Sequence, residues 1–179
     1  MKALQTLLVI ALMAVAVPAV AQSADDLARM DGALKAIDTT PTREALDAGF
    51  ADPPAVLKAA VAQTERTTYE RQRALTMLSM YPTDETLAFW RTLLNDNDVE
   101  IRGLAVYSAA RTFGQTPTPA LISFIETALQ DRDPVVKKWA LRGLRWVKAP
   151  RATELLGHYA SQADPALAKV AKTALRRIE

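Results

Sequence analysis

The stretch "DRDPVVKKWALRGL" (Asp131–Leu144) decides the fold of this chain. Its two aspartates, proline and lysine pair invite a reading as a catalytic cluster or a basic docking site. Local physics gives a plainer one. In Asp133-Pro134 the carboxylate can accept from unpaired N–H groups of a first helical turn. Pro134 takes the first helical position, where a missing N–H costs little and the fixed φ suits the helix. Behind them Val136, Trp139, Ala140, Gly143 and Leu144 fall at helical spacing and form one apolar stripe.

The same layout recurs. In "DNDVEIRGLAV" (96–106), Asp98, Ile101, Arg102 and Ala105 match Asp133, Val136, Lys137 and Ala140. In "SQADPALAKVAK" (161–172), Asp164-Pro165 is followed in register by Leu167 and Ala171. Backward, "TTYERQRAL" (67–75) puts Thr67 at the cap, Arg71 at the basic position and Ala74 at the alanine, and Thr67-x-x-Glu70 reads as a capping box. The steps between caps are 31, 35 and 31 residues. The long step contains "FGQTPTPA" (113–120), which reads as a loop insertion of four residues. A small residue at 74, 105, 140 and 171 lets a neighbouring helix approach closely.

Between these helices lie amphipathic segments at 53–63, 84–94, 119–129 and 151–161, giving four helix pairs over 53–80, 83–113, 117–147 and 150–178. Leu27, Met30, Leu34 and Ile37 mark a further helix, and 41–48 another; together they form an N-terminal cap. No segment alternates as a strand does. A period near 31 residues in which each unit buries its stripe against its neighbours is the mark of a solenoid.

The run D-x-D-P-x-V-K-x-x-A at 131–140 resembles the second-helix signature of HEAT repeats, particularly the short phycobilisome-lyase type. The resemblance covers 53–178. It departs at Glu70 and Arg73, where apolar residues are expected, and at Ala168, where the basic residue belongs. It implies an all-α fold: a short right-handed α-solenoid of about four antiparallel helix pairs. It also implies that the second helices line a concave side whose non-core positions face a partner.

Residues 1–21 read as a signal peptide, with basic Lys2, an apolar run from Ala3 to Val17, Pro18, and Ala19-Val20-Ala21 before Gln22. The expected organisation is a leader (1–21), a helical cap (22–52) and the repeat domain (53–179). The expected location is the periplasm or the extracellular space. With no cysteine, the chain has no disulfide, thiolate metal site or cysteine nucleophile. Charge is uneven: 22–133 holds 11 Lys/Arg against 17 Asp/Glu, net −6, whereas 134–179 holds 10 against 3, net +7.

His158 is the only histidine, which excludes a multi-histidine metal site, and it reads as an ordinary helix residue. There is no nucleophile elbow and no glycine-rich phosphate loop. The lyase-type relatives act on a bilin, a context that export and the lack of cysteine oppose. The sequence therefore predicts a protein that is not an enzyme and has no cofactor. Its expected role is that of a scaffold, holding an acidic segment of another protein on a basic C-terminal surface. The alternative is a binder of an anionic envelope polymer, lipid headgroup or other polyanion; nucleic acid is disfavoured by export. The candidate partner-binding residues are Lys138, Arg142, Arg145, Trp146, Lys169, Lys172 and Arg176, with Tyr159 nearby; Trp139 and Trp90 read as packing. The charge asymmetry also allows self-association, acidic front to basic back. Because each repeat buries its stripe against the next, deleting 150–179 is expected to uncover Leu144 and cause aggregation. A soluble, cooperatively unfolding 22–149 fragment in size-exclusion and thermal measurements would contradict this.

Overall fold

A computed structural model describes residues 24–178; the expected leader, 1–21, lies outside the described residues. Ten α-helices follow one another, and no strand occurs among the described residues. They are α1 (Ala24–Lys35), α2 (Arg43–Gly49), α3 (Pro53–Ala62), α4 (Thr68–Leu78), α5 (Asp84–Thr92), α6 (Val99–Phe113), α7 (Pro119–Leu129), α8 (Pro134–Gly143), α9 (Pro150–Ala160) and α10 (Pro165–Leu175). Short 3-10 turns extend α5 at Leu93–Asn95 and α8 at Leu144–Trp146. None of the described helices is long and apolar enough to cross a membrane.

Every second helix starts as its cap residue dictates. Thr67 Oγ1 accepts from Glu70 N at 3.2 Å while Glu70 accepts from Thr67 N at 3.0 Å, a closed capping box. Asp98 accepts from Glu100 N at 2.9 Å, Asp133 from Val135 N at 2.8 Å and Asp164 from Ala166 N at 2.8 Å. Asp133-Pro134 is thus a helix start, and such a cap contributes about 1 kcal/mol.

The second helices stack, α4 on α6 on α8 on α10. Ala74, Ala105, Ala140 and Ala171 are fully buried. Contact is most extensive between α6 and α8, where two glycines permit it. A Cβ on Gly143 would lie 2.8 Å from the Ala110 Cβ, and one on Gly103 would lie 2.8 Å from Trp139 Cγ.

The four extra residues of the long step lengthen a helix instead of a loop. α6 has 15 residues where α4 and α10 have 11, one added turn. Phe113 continues the apolar stripe to its end, edge-on to Trp90 at 6.0 Å, so the helix stops only at Gly114. There the Gly114 carbonyl accepts from Lys148 N at 2.8 Å, and a Cβ would sit 2.8 Å from the Trp146 carbonyl carbon. A second difference lies in the N-terminal helices. α1 buries Met30 and Leu34, but Ile37 falls past its end and is 82% exposed. Arg73, at a position expected to be apolar, donates to Ala33 O at 3.0 Å and Thr39 O at 2.6 Å, satisfying carbonyls around the end of α1.

Charged pairs link successive repeats. Arg71, 4% exposed, donates to Val61 O at 2.7 Å and to the Asp96 carboxylate. Arg102, 5% exposed, donates to Asp96 O at 2.9 Å and, through Nε, to Asp131 at 2.9 Å. Asp96 and Asp131 each accept as well from the N–H two residues on, at 2.9 and 2.8 Å. The corresponding residues of the next step are Lys137 and Gln162, which form no such pair.

Burial opposes ionisation of Asp131, but the Arg102 guanidinium and the Asp133 N–H together outweigh it and hold the carboxyl below its ordinary 3.8. A carboxyl whose folded pKa is depressed stabilises the fold above the unfolded value, and that contribution is lost as pH falls through the folded value. Asp131→Asn is therefore expected to cost about 3 kcal/mol at pH 7, the scale for breaking a buried ion pair. The gap from wild type should narrow below pH 4, as urea unfolding at pH 7 and pH 3 would measure.

Candidate functional site

On the face made by the second helices, α6, α8 and α10 enclose a groove of about 700 Å³. Helical spacing builds its walls. Lys138, Arg142 and Arg145 follow one another at intervals of four and three and share one face of α8 and its 3-10 turn. Ala166, Lys169, Val170, Thr173, Ala174 and Arg177 do the same along α10 and just past its end. Tyr107 of α6 and Trp139 of α8 complete the lining.

Trp139 is the fixed point of the groove. Its indole covers the bare Cα of Gly103, its Nε1 donates to Glu100 at 3.2 Å, and it meets Tyr107 edge-on at 5.3 Å. Arg142 lays its guanidinium over the same ring, 5.3 Å from the centroid. Arg145 lies over Trp146 at 4.4 Å, and its buried Nε has no hydrogen-bond acceptor among the described residues.

Charge is left uncompensated here. Lys138, Arg142, Arg145, Lys169 and Arg177 make no ion pair among the described residues. Some cations elsewhere are matched: Arg71 and Arg102 by Asp96 and Asp131, and Arg151 by Glu126 and Glu154 at 2.7 and 3.0 Å. Five like charges over a low-dielectric apolar floor focus a positive potential into the groove.

Of the residues expected to contact a partner, Lys138, Arg142, Arg145 and Lys169 come together in the groove. Lys172 and Arg176 do not. They flank a shallower depression of about 410 Å³ on the other side of α10, with Pro165 and Ala168. Trp146 stands outside the groove, between Arg145 and Arg111, whose guanidinium lies 5.8 Å from its ring. Tyr159 is buried and donates to Leu129 O at 2.9 Å, beside a depression between α7 and α9 that exposed His158 also borders.

Sequence reasoning missed Tyr107, Val170 and Thr173, treated Trp139 as packing, and grouped Arg177 with Lys169, Lys172 and Arg176 as basic non-core positions of the last helix. Trp139 packs and lines the groove at once. The signal for Arg177 was its place four residues after Thr173 on the stripe that carries Lys169; Arg176 belongs with Lys172.

Residues 103–176 match the HEAT-repeat family. The chain is an α-solenoid, and this part of it, which carries the whole groove lining except Arg177, is built of HEAT repeats. No curated protein matches the chain. The solved structure of human deoxyhypusine hydroxylase is similar, with a TM-score of 0.59 and 20% identity, over 70% of this chain and 43% of that one. The chain therefore spans less than half the length of that protein, and at this identity the likeness shows the fold.

The likeness corrects one expectation. The sequence predicted a protein that is not an enzyme, yet the similar fold belongs to a hydroxylase. The reason is physical: a solenoid gathers side chains from successive helices, so the lack of a compact linear motif does not exclude catalysis.

Gly103→Ala is expected to push Trp139 out of place, because the new Cβ overlaps the indole. Overpacking of this kind typically costs about 1–3 kcal/mol. A shift in tryptophan emission that disappears in a Trp139→Phe background would show it.

Proposed function

We propose that the protein is an interaction module that holds an acidic segment of another protein in the groove between α6, α8 and α10. The observation that carries this is the set of five unpaired cations around an apolar floor. Arginines on a groove wall form charge-assisted, often bidentate bonds with carboxylates. Arg142 is already oriented by Trp139, so less rotamer entropy remains to be lost on binding. Tyr107, Trp139 and Val170 offer apolar area between the charges, which suits a peptide with mixed side chains better than a uniformly charged polymer. HEAT repeats generally mediate protein interactions, and residues 103–176 are of that family. The pattern of residues 1–21 supports a place of action outside the cytoplasm, in the periplasm or secreted.

Affinity capture from an envelope extract, with the protein from Gln22 onward as bait, identifies the partner. Replacing Arg142, Arg145 and Arg177 together with Gln is then expected to weaken its binding at least about 30-fold, the equivalent of one desolvated arginine at about 2 kcal/mol. Stability should change by only about 0.5 kcal/mol or less per site. Lys172→Gln with Arg176→Gln, on the other side of α10, should leave binding near wild type. A triple variant that binds as tightly as wild type overturns the proposal. A partner that proves to be a polyanion, released steeply as salt rises, overturns it too.

A further inference from the structure

The basic groove is not the whole of this face. A second cavity of about 330 Å³ opens between α4 and α6 and shares Trp139 with the first. Leu104 lines the second and Tyr107 the first, one turn apart on α6. The two cavities therefore meet at one indole, yet their chemistry differs. Beyond Trp139 the lining is Thr40, Tyr69, Gln72, Thr76, Met77 and Leu104, with one cation, Arg73. That cation is already committed: it donates to Ala33 O, Thr39 O and, at 3.4 Å, the Tyr69 hydroxyl. At the junction the Glu100 carboxylate, which takes the Trp139 N–H, adds a negative charge one turn ahead of Leu104. An acidic residue placed over α4 would find a single cation, Arg73, whose N–H groups are already taken by neutral acceptors, and repulsion from Glu100. Uncharged side chains would find Tyr69, which is 43% exposed, together with half-buried Leu104.

We infer that the segment recognised by this face is bipartite and directional, an acidic block over α8 and α10 continued past Trp139 by an uncharged, partly apolar block over α4 and α6. This rests on the reading of the basic groove given above. The complementarity sets the register: the acidic block ends at Trp139, where the wall changes from five unpaired cations to one, Arg73, whose donors are already engaged.

The test uses fluorescein-labelled peptides and the protein from Gln22 onward, read by anisotropy. An acidic hexapeptide of Asp and Glu is compared with the same hexapeptide extended by six residues of Leu, Tyr and Ser at its N-terminus or at its C-terminus. A twelve-residue all-acidic peptide is the fourth probe. The neutral extension is expected to raise affinity roughly tenfold, or about 1.4 kcal/mol, at one end only, and the all-acidic extension to raise it little. Thr76→Glu combined with Gln72→Glu should abolish that gain; the gain is a ratio of two affinities on one protein, so a general loss of stability cancels from it. Equal gains at both ends, no gain at either, or an equal gain from the all-acidic extension overturns the bipartite segment and leaves the basic groove standing. If the acidic hexapeptide itself fails to bind, or a sulfated polysaccharide displaces it completely, the groove reading falls and this inference with it.

Discussion

Arg102 is the constraint on which the rest of the structure depends. A guanidinium does not deprotonate inside a protein, so once buried it must be surrounded by acceptors. Here those acceptors come from the turns inside two successive helix pairs, the Asp96 carbonyl between α5 and α6 and the Asp131 carboxylate between α7 and α8. A buried ion pair adds little net stability compared with apolar packing of the same volume, but removing one partner is costly. Its effect is therefore on geometry: the third pair can occupy only the position in which Asp131 reaches Arg102. That position places Trp139 over Gly103 and Gly143 against Ala110, and the groove follows from it.

The groove inverts this logic. Arg71 and Arg102 are buried and matched by Asp96 and Asp131, whereas in the groove the cations are half-buried or exposed and make no ion pair among the described residues. Water stabilises the exposed charges adequately, so the fold tolerates them without requiring them. A cluster of five like charges costs self-repulsion and contributes nothing to the core.

The repeat was legible because each of its elements has a local cause. An Asp or Thr cap, a proline at the first position and a stripe at helical spacing act within a few residues, and they located α4, α6, α8 and α10 closely. Relations between turns were less visible. Nothing adjacent in sequence marked the role of Asp131, because its partner, Arg102, is 29 residues away. The added turn of α6 was read as a loop because Gly114 and the prolines after it announce an ending, while Phe113 continues the stripe more quietly. Ile37 fits the spacing of α1 but lies past its end, in the turn that Arg73 reaches from α4. Among the candidate site residues, Lys138, Arg142, Arg145 and Lys169 were recoverable from charge. Tyr107, and the separation of Arg177 from Lys172 and Arg176, required knowing which faces of α6 and α10 turn toward α8.

The two walls of the groove are not equally stiff. The wall formed by α6 and α8 is riveted by Arg102 and by close glycine contacts, directional interactions that a displacement of an ångström would break. Between α8 and α10 the corresponding rivet is missing, since Lys137 faces a step whose acid has become Gln162. What holds α10 is apolar packing around Ala140, Leu144 and Ala171, and such packing is non-directional. A surface of that kind slides more cheaply than a bonded one. The groove thus has one wall fixed by directional contacts and one held by packing alone, with Trp139 seated in the fixed wall.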